Sequence, residues 1–337
     1  MAGVQIHPKT LSISLETAGL VALADLTAIQ ERTALTGTSS FLDLLVLVPG
    51  IHLQQKATRL HNGEHPACGA LTTGYVFRIE NPATVYYLQK IGHTGHLTTL
   101  EVTKLDDDAR WWTRTASRFF PLHGINLVSG VAYFTAVAWT IAVIILLALA
   151  RDWWGIGVVS ILILARAINS FVIRRRSRPG WYGATEGDHE GDLLILLSQD
   201  RWIRMKGCVD HLKAVTSGQW LRDETTLESR ITAIATLIVY LGAALASNVQ
   251  QFGKILLVAL LIGSVGLLAV ANTSTNKLQM HGYSIRVVGR PKPYERRLDL
   301  ATELIEETKR DDWAVRMGMI VKENPSTDTE RAGQIVM

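Results

Sequence analysis

The sequence predicts a membrane protein: a four-transmembrane-helix bundle with a mixed α/β cytosolic cap. The cap draws on the N-terminal segment, the central loop and the C-terminal tail. Three observations predict this. The 337-residue chain is 48% hydrophobic and 19% charged, with a mean hydropathy of +0.18. A soluble domain of average composition is about a quarter charged. The apolar residues are gathered into four runs near the roughly 20 residues a helix needs to cross about 30 Å of hydrocarbon. The basic residues beside those runs crowd at one set of ends.

The runs come first. Gly124 to Ala150 is 27 residues without a charged side chain, Ile231 to Val249 is 19 and Ile255 to Asn272 is 18. Trp153 to Ile173 is a fourth, interrupted only by Arg166. Core helices of soluble proteins are amphipathic, which these are not. Residues 124–173 therefore hold spans one and two, and 231–272 hold spans three and four. Ala18–Ile29 and Phe41–Leu53 are also apolar but too short to span, and they carry Asp25 and Asp43. They read as core or membrane-surface elements. No basic stretch leads into an apolar one at the N-terminus, so no cleaved signal peptide is expected.

Orientation follows from charge. Arg110, Arg114, Arg118, Arg174, Arg175, Arg176, Arg178, Arg222, Arg230 and Lys277 flank one set of span ends, and only Arg151 and Lys254 flank the other. The positive-inside rule puts the ten in the cytosol, with both termini there too. Residues 1–123, the loop 174–230 and the segment 273–322 are then cytosolic or peripheral. The sequence pI of about 9.1 reads as attraction to anionic headgroups of membrane lipids, not to nucleic acid, because the basic residues flank spans.

Within the soluble segments, Asp106–Asp108 lead into alternating Arg and aromatic residues, which predicts an interfacial helix near 108–120. The same aspartates match loosely the Mg²⁺-diphosphate motif of prenyl-transfer enzymes, but three consecutive carboxylates fan around a helix instead of sharing a face. Thr73–Glu80, Thr84–Ile91 and Leu97–Lys104 are rich in β-branched and aromatic residues and read as strands. Leu193–Leu197, Arg201–Lys206 and Tyr283–Val288 read likewise. Tyr294–Lys309 has helical spacing. Residues 323–337 lack apolar periodicity and are expected to form a disordered tail.

Chemistry-bearing residues are few. His61-Asn62-Gly63-Glu64-His65 matches H-x-x-E-H literally, but Asn-Gly and the following Pro66 make a turn where a metallopeptidase needs a helix. His93 and His96 are the candidate metal ligands, with Cys68 or His61 as further donors. The expectation is nonetheless of no metal site, and no cofactor is assigned. Phosphate-loop, dinucleotide and hydrolase-elbow strings are missing. None of the ten histidines falls inside a span, which argues against a haem-binding bundle. Arg166 is the conspicuous feature. Asn169 and Ser170 stand at i+3 and i+4, so the three share a face. An intramembrane arginine faces the bundle or a cavity by default. These are the candidate catalytic residues, with two readings. Arg166 clamps a carboxylate or phosphate of an amphipathic substrate, or it makes a structural pair near the headgroups.

The stretches Asp200–Leu221 (DRWIRMKGCVDHLKAVTSGQWL) and His281–Gly289 (HGYSIRVVG), placed beside span pairs, resemble uncharacterised multi-span integral membrane proteins of filamentous fungi. Some of those are associated with secondary-metabolite pathways. The resemblance covers residues 120–320. It implies an endoplasmic-reticulum membrane and a role in a biosynthetic pathway, acting on a lipophilic intermediate by oxidation or cyclisation, or helping membrane-bound partner enzymes to do so. It transfers no catalytic residue. A non-catalytic scaffold and a small transporter subunit remain the alternatives.

Overall fold

The computed structural model describes residues 18–105 and 126–321. The interfacial helix expected near 108–120, the Asp106–Asp108 cluster and the expected tail 323–337 lie outside these residues. The helices are α1 (Ala28–Thr36), α2 (Pro82–Ile91), α3 (Leu127–Leu149), α4 (Trp153–Arg176), α5 (Val209–Thr216), α6 (Thr226–Leu245), α7 (Gln251–Thr273), α8 (Arg297–Thr308) and α9 (Asp312–Arg316). The strands are β1 (Ala67–Ala70), β2 (Val76–Arg78), β3 (His96–Lys104), β4 (Glu190–Leu197), β5 (Arg201–Cys208), β6 (Lys277–Met280), β7 (Tyr283–Val287) and β8 (Lys292–Pro293).

Four helices are long and apolar enough to cross a membrane: α3, α4, α6 with its 3₁₀ extension to Asn248, and α7. They coincide with the four runs in the sequence. Their outward faces carry Leu127, Val131, Ile145, Leu149, Phe171, Leu237 and Ile262, all exposed. Such a surface suits lipid and not water. Trp153 and Trp154 are exposed at the end where α4 begins, and Trp181 is exposed beyond the end where it stops. That is the arrangement of aromatic residues at two membrane–water interfaces. α3 packs on α7 and α4 on α6. At Gly242 an added Cβ would lie 3.0 Å from Ile161, so the small residue permits close approach of α6 to α4.

The N-terminal segment enters the bundle. The 3₁₀ turn Ala18–Leu23 packs against both α6 and α7, and against Ala246–Asn248 at the far end of α6. Ala22, Ala28, Ile29, Val46, Leu47, Val48 and Ile51 are buried in one apolar cluster with Tyr133, Leu162, Val239 and Leu260 of the long helices. A wholly peripheral placement of residues 1–123 therefore needs revision: residues 22–51 help to make the bundle core. This segment alternates α1 with short 3₁₀ turns, and irregular backbone of that kind at this depth is tolerated only where protein covers it and satisfies its polar groups. Three side chains do so. Gln30 Nε2 donates to Leu53 O at 3.2 Å, Asn272 Nδ2 to Ala28 O at 2.8 Å, and Arg166 Nε to Asp43 O at 3.0 Å.

All strands lie in segments at one end of the bundle and form a single sheet of order β2-β1-β4-β5-β3-β7-β6, with β8 also paired to β3. The β3–β5 pair is parallel and the others antiparallel. The expected composite cap is thus a continuous sheet from three separate chain segments. Leu194 and Trp202 face Leu300, Leu304 and Trp313 on one side, while Leu100, Ile195 and Ile203 face Leu88 and Trp220 on the other. Burial on both faces explains the unbroken apolar string of β4. Ile173 of α4 belongs to the second of these clusters, so bundle and cap share a core.

One element differs from expectation. Thr84–Ile91 is helical, within α2, and not a strand. The Asn81 side chain accepts from the backbone N–H groups of Ala83 and Thr84, and Pro82 occupies the first turn. That N-cap and proline start outweigh the β-preference of Thr84, Val85, Tyr86 and Tyr87.

Candidate functional site

Arg166, Asn169 and Ser170 occupy one face of α4, and each is almost wholly buried. Each meets the N-terminal segment. Arg166 Nη1 donates to Gln54 Oε1 at 2.5 Å in addition to the Asp43 carbonyl. Gln55 Nε2 donates to the Asn169 backbone and side-chain oxygens at 3.1 and 3.3 Å. The Ser39 and Ser170 hydroxyls lie within hydrogen-bond distance, Oγ to Oγ 3.0 Å. The face foreseen in the sequence is thus engaged by residues 39–55.

At its centre is Asp43. Its Oδ1 accepts from the Tyr133 hydroxyl at 2.6 Å, and its Oδ2 accepts from Ser39 Oγ at 2.9 Å and Ser40 N at 2.6 Å. The Arg32 guanidinium lies 5.0 Å from the centre of the Tyr133 ring. Arg32 is buried, and its Nε and Nη2 have no hydrogen-bond partner among the described residues. Two guanidiniums, Arg32 and Arg166, therefore face one carboxylate in a water-poor interior. The local charge is positive.

This network underlies a cleft of about 870 Å³ lined by Ser40, Phe41, Leu44, Ala167, Ser170, Phe171, Arg174, Arg175 and Arg178. Its size falls in the range of small-molecule sites. One wall is the N-terminal segment and the other is the last three turns of α4. Ser40 and Ser170 tie its floor to Asp43, Ser39 and Tyr133. At the mouth, the Arg174 guanidinium stacks 4.2 Å from the centre of the Phe41 ring and Arg175 Nε lies 3.1 Å from Glu228 Oε1. Arg166 and Asn169 do not line the cleft; Ser170 does.

The other sequence candidates lie apart, in the cap. His93 precedes the turn into β3 and His96 opens that strand, their ring centres 6.3 Å apart, and His96 Nδ1 is 2.8 Å from Thr94 O. His61 and His65 have ring centres 5.1 Å apart, while Glu64 accepts from Ser198 N and Gln89 Nε2. No group of three His, Cys, Asp or Glu suited to a metal occurs among the described residues. Cys68 is buried, which pushes its thiol pKa up and disfavours a reactive thiolate.

Sequence reading missed Arg32, Ser40, Phe41, Gln54 and Tyr133. The signal for some of them was a polar residue in an apolar context, such as Asp43 in Phe41–Leu53. Their convergence on one site depends on tertiary folding. The chain has the build of a multi-pass helical membrane protein with a basic, amphipathic cleft beside its re-entrant segment. Comparison with protein-family models, with curated proteins and with solved structures gave no match.

Proposed function

We propose that the protein is an integral membrane component of a biosynthetic pathway, and that it takes a lipophilic intermediate from the bilayer and presents it at the cytosolic surface. The cleft carries this reading. Phe171, exposed on the outside of α4, is also one of its lining residues, so a ligand can enter sideways from lipid. Among the described residues its polar lining is two hydroxyls and three guanidiniums, groups suited to binding and orienting a polar head. The protein then binds and delivers, and membrane-bound partner enzymes make and break the bonds. Arg166 supports the wall of the cleft without touching its contents. The fungal resemblance supports a secondary-metabolite setting in the endoplasmic reticulum. The ten-to-two basic asymmetry supports a cytosolic cap and cytosolic termini.

The test is metabolite profiling of a deletion strain complemented with wild type or with Ala167→Trp, which fills the cleft. Loss of a lipophilic product in the deletion, restored by wild type but not by Ala167→Trp at equal protein level, is the expected result. An unchanged profile on deletion overturns the proposal.

A further inference from the structure

The cleft is graded along its length. On the α4 side the lining residues Ala167, Ser170, Phe171, Arg174 and Arg175 fall on one face at i, i+3, i+4, i+7 and i+8, with Arg178 just past the helix end. Seven residues from Ala167 to Arg174 span about 10 Å. Over that distance the wall changes from a methyl and a phenyl group to guanidiniums. Leu44 adds an apolar side chain from the opposite wall, and Phe41 lies at the guanidinium end, under Arg174. A ligand matching this gradient has an apolar tail toward the bundle middle and a charged head at the cap end.

We infer that the head is a phosphate group and that the cleft binds a phosphate-headed amphiphile. This rests on the reading of the cleft as a ligand site and names its ligand class. Among the described residues no carboxylate lines the cleft. The acid that meets its rim, Glu228, is shared between Arg175 and Arg222. Arg178 has no ion-pair partner among the described residues. The buried pair Arg32 and Arg166 exceeds the charge of Asp43 beneath the floor, and a low-dielectric wall transmits that excess to the cleft. Guanidinium forks match phosphate oxygens in pairs, and Arg178 presents a whole fork at the charged end of the cleft. The hydroxyls of Ser40 and Ser170 lie between head and tail, where a glycerol or ester oxygen of such a molecule falls.

The experiment uses the full-length protein in neutral maltoside micelles. Two fluorescent probes share one acyl chain: a lysophosphatidic acid and the uncharged monoacylglycerol. Inorganic phosphate is the competitor. The expected result is phosphate-probe binding at least about tenfold tighter than the neutral probe, the effect of a charged-group contact or two. Arg178→Gln, an exposed change beyond the helix, and Arg174→Gln weaken the phosphate probe and leave the neutral one unchanged. Ala167→Trp blocks both probes. Equal binding of the probes, insensitive to the arginine variants, overturns the phosphate assignment, and sensitivity to Ala167→Trp then leaves the cleft itself standing. Probe binding that Ala167→Trp does not alter overturns both. Displacement by inorganic phosphate at concentrations equal to those of the probe overturns the amphiphile and makes the site one for free phosphate.

Discussion

Arg166 and Gln54, 112 positions apart in sequence, are joined by a 2.5 Å bond from the guanidinium Nη1 to the amide oxygen. With the Nε bond to the Asp43 carbonyl, it pins the re-entrant segment at two points. The arginine answers the backbone demand that non-helical chain creates inside a bundle. Removing it leaves the buried Gln54 amide oxygen unpaired, at about 1–3 kcal/mol, while the Asp43 carbonyl keeps only its 3.1 Å bond from Val46 N. Arg166→Leu should therefore loosen residues 42–59 while the helices persist. Hydrogen exchange would show faster amides across 42–59 and unchanged α3. Uniform protection in the variant would contradict this role.

A second clasp lies at the opposite end of the bundle. Asp152 Oδ1 accepts from Gly155 N at 3.0 Å and caps α4, while its Oδ2 accepts from Gln250 N at 3.1 Å beside the start of α7. One buried carboxylate thus serves both short turns. Gly253 makes room for it: an added Cβ would lie 2.1 Å from Asp152 Oδ2. Asp152→Ala should cost about 1–2 kcal/mol, the usual range for a lost N-cap. Gly253→Ala should be comparably harmful, and less so in the Asp152→Ala background, where the contact with Val249 Cγ1 at 2.7 Å is the one that remains. Thermal unfolding of the singles and the double in detergent measures the coupling. Strict additivity would show that the two do not meet.

The spans were legible because a bilayer forces long uncharged runs, whose ends the helices reproduce within a few residues. β3, β4, β5 and β7 were legible because Leu97–Lys104, Leu193–Leu197, Arg201–Lys206 and Tyr283–Val288 combine strand formers with nearby turns. α2 was misread because its β-branched and aromatic residues outweighed its start signal. The pair Asn81-Pro82 suits a turn between strands as well as a helix start, and in the fold it is an N-cap followed by a first-turn proline. The site was half legible. Arg166 is conspicuous as a charge in an apolar run, and its face with Asn169 and Ser170 follows from helical period. Its partners are not conspicuous, because nothing local says that Asp43 and Gln54 fold back into the bundle. Asp43 marked its stretch as unable to span, and that carboxylate is the hub of the network.

Asn81 gives the misread helix its own test. Its Oδ1 accepts from Ala83 N and Thr84 N, and its Nδ2 donates to Gly218 O at 3.0 Å. The side chain is fully buried. Asn81→Ala should cost about 2 kcal/mol, combining a lost cap with an unpaired buried carbonyl. Asn81→Asp keeps the cap acceptor but turns an oxygen toward Gly218 O, so it should also destabilise, and more at pH 7 than at pH 4. Chemical unfolding of both variants measures this. If Asn81→Asp matched wild type at pH 7, the amide donation to Gly218 would be irrelevant to stability.

The cap also contains an acid-sensitive tether. Arg204 donates to both oxygens of Asp192 and both of Glu307, linking β4 and β5 to α8. The Arg204 hydrogen bonds hold the Glu307 carboxyl below its usual value of 4.5, with partial burial opposing. A folded pKa below the unfolded one means that the contribution is complete above about pH 4.5 and lost as pH falls through the depressed folded value. Glu307→Gln removes that contribution at every pH. Hydrogen exchange or proteolysis at α8 should thus show wild type better protected than Glu307→Gln at pH 7. The gap should narrow as pH falls below 4.5 and close as it passes the depressed folded value, where the wild-type carboxyl takes up its proton. A gap of the same size at pH 3 and pH 7 would mean that α8 is held by its apolar face, through Leu300 and Leu304, and not by the ion pair.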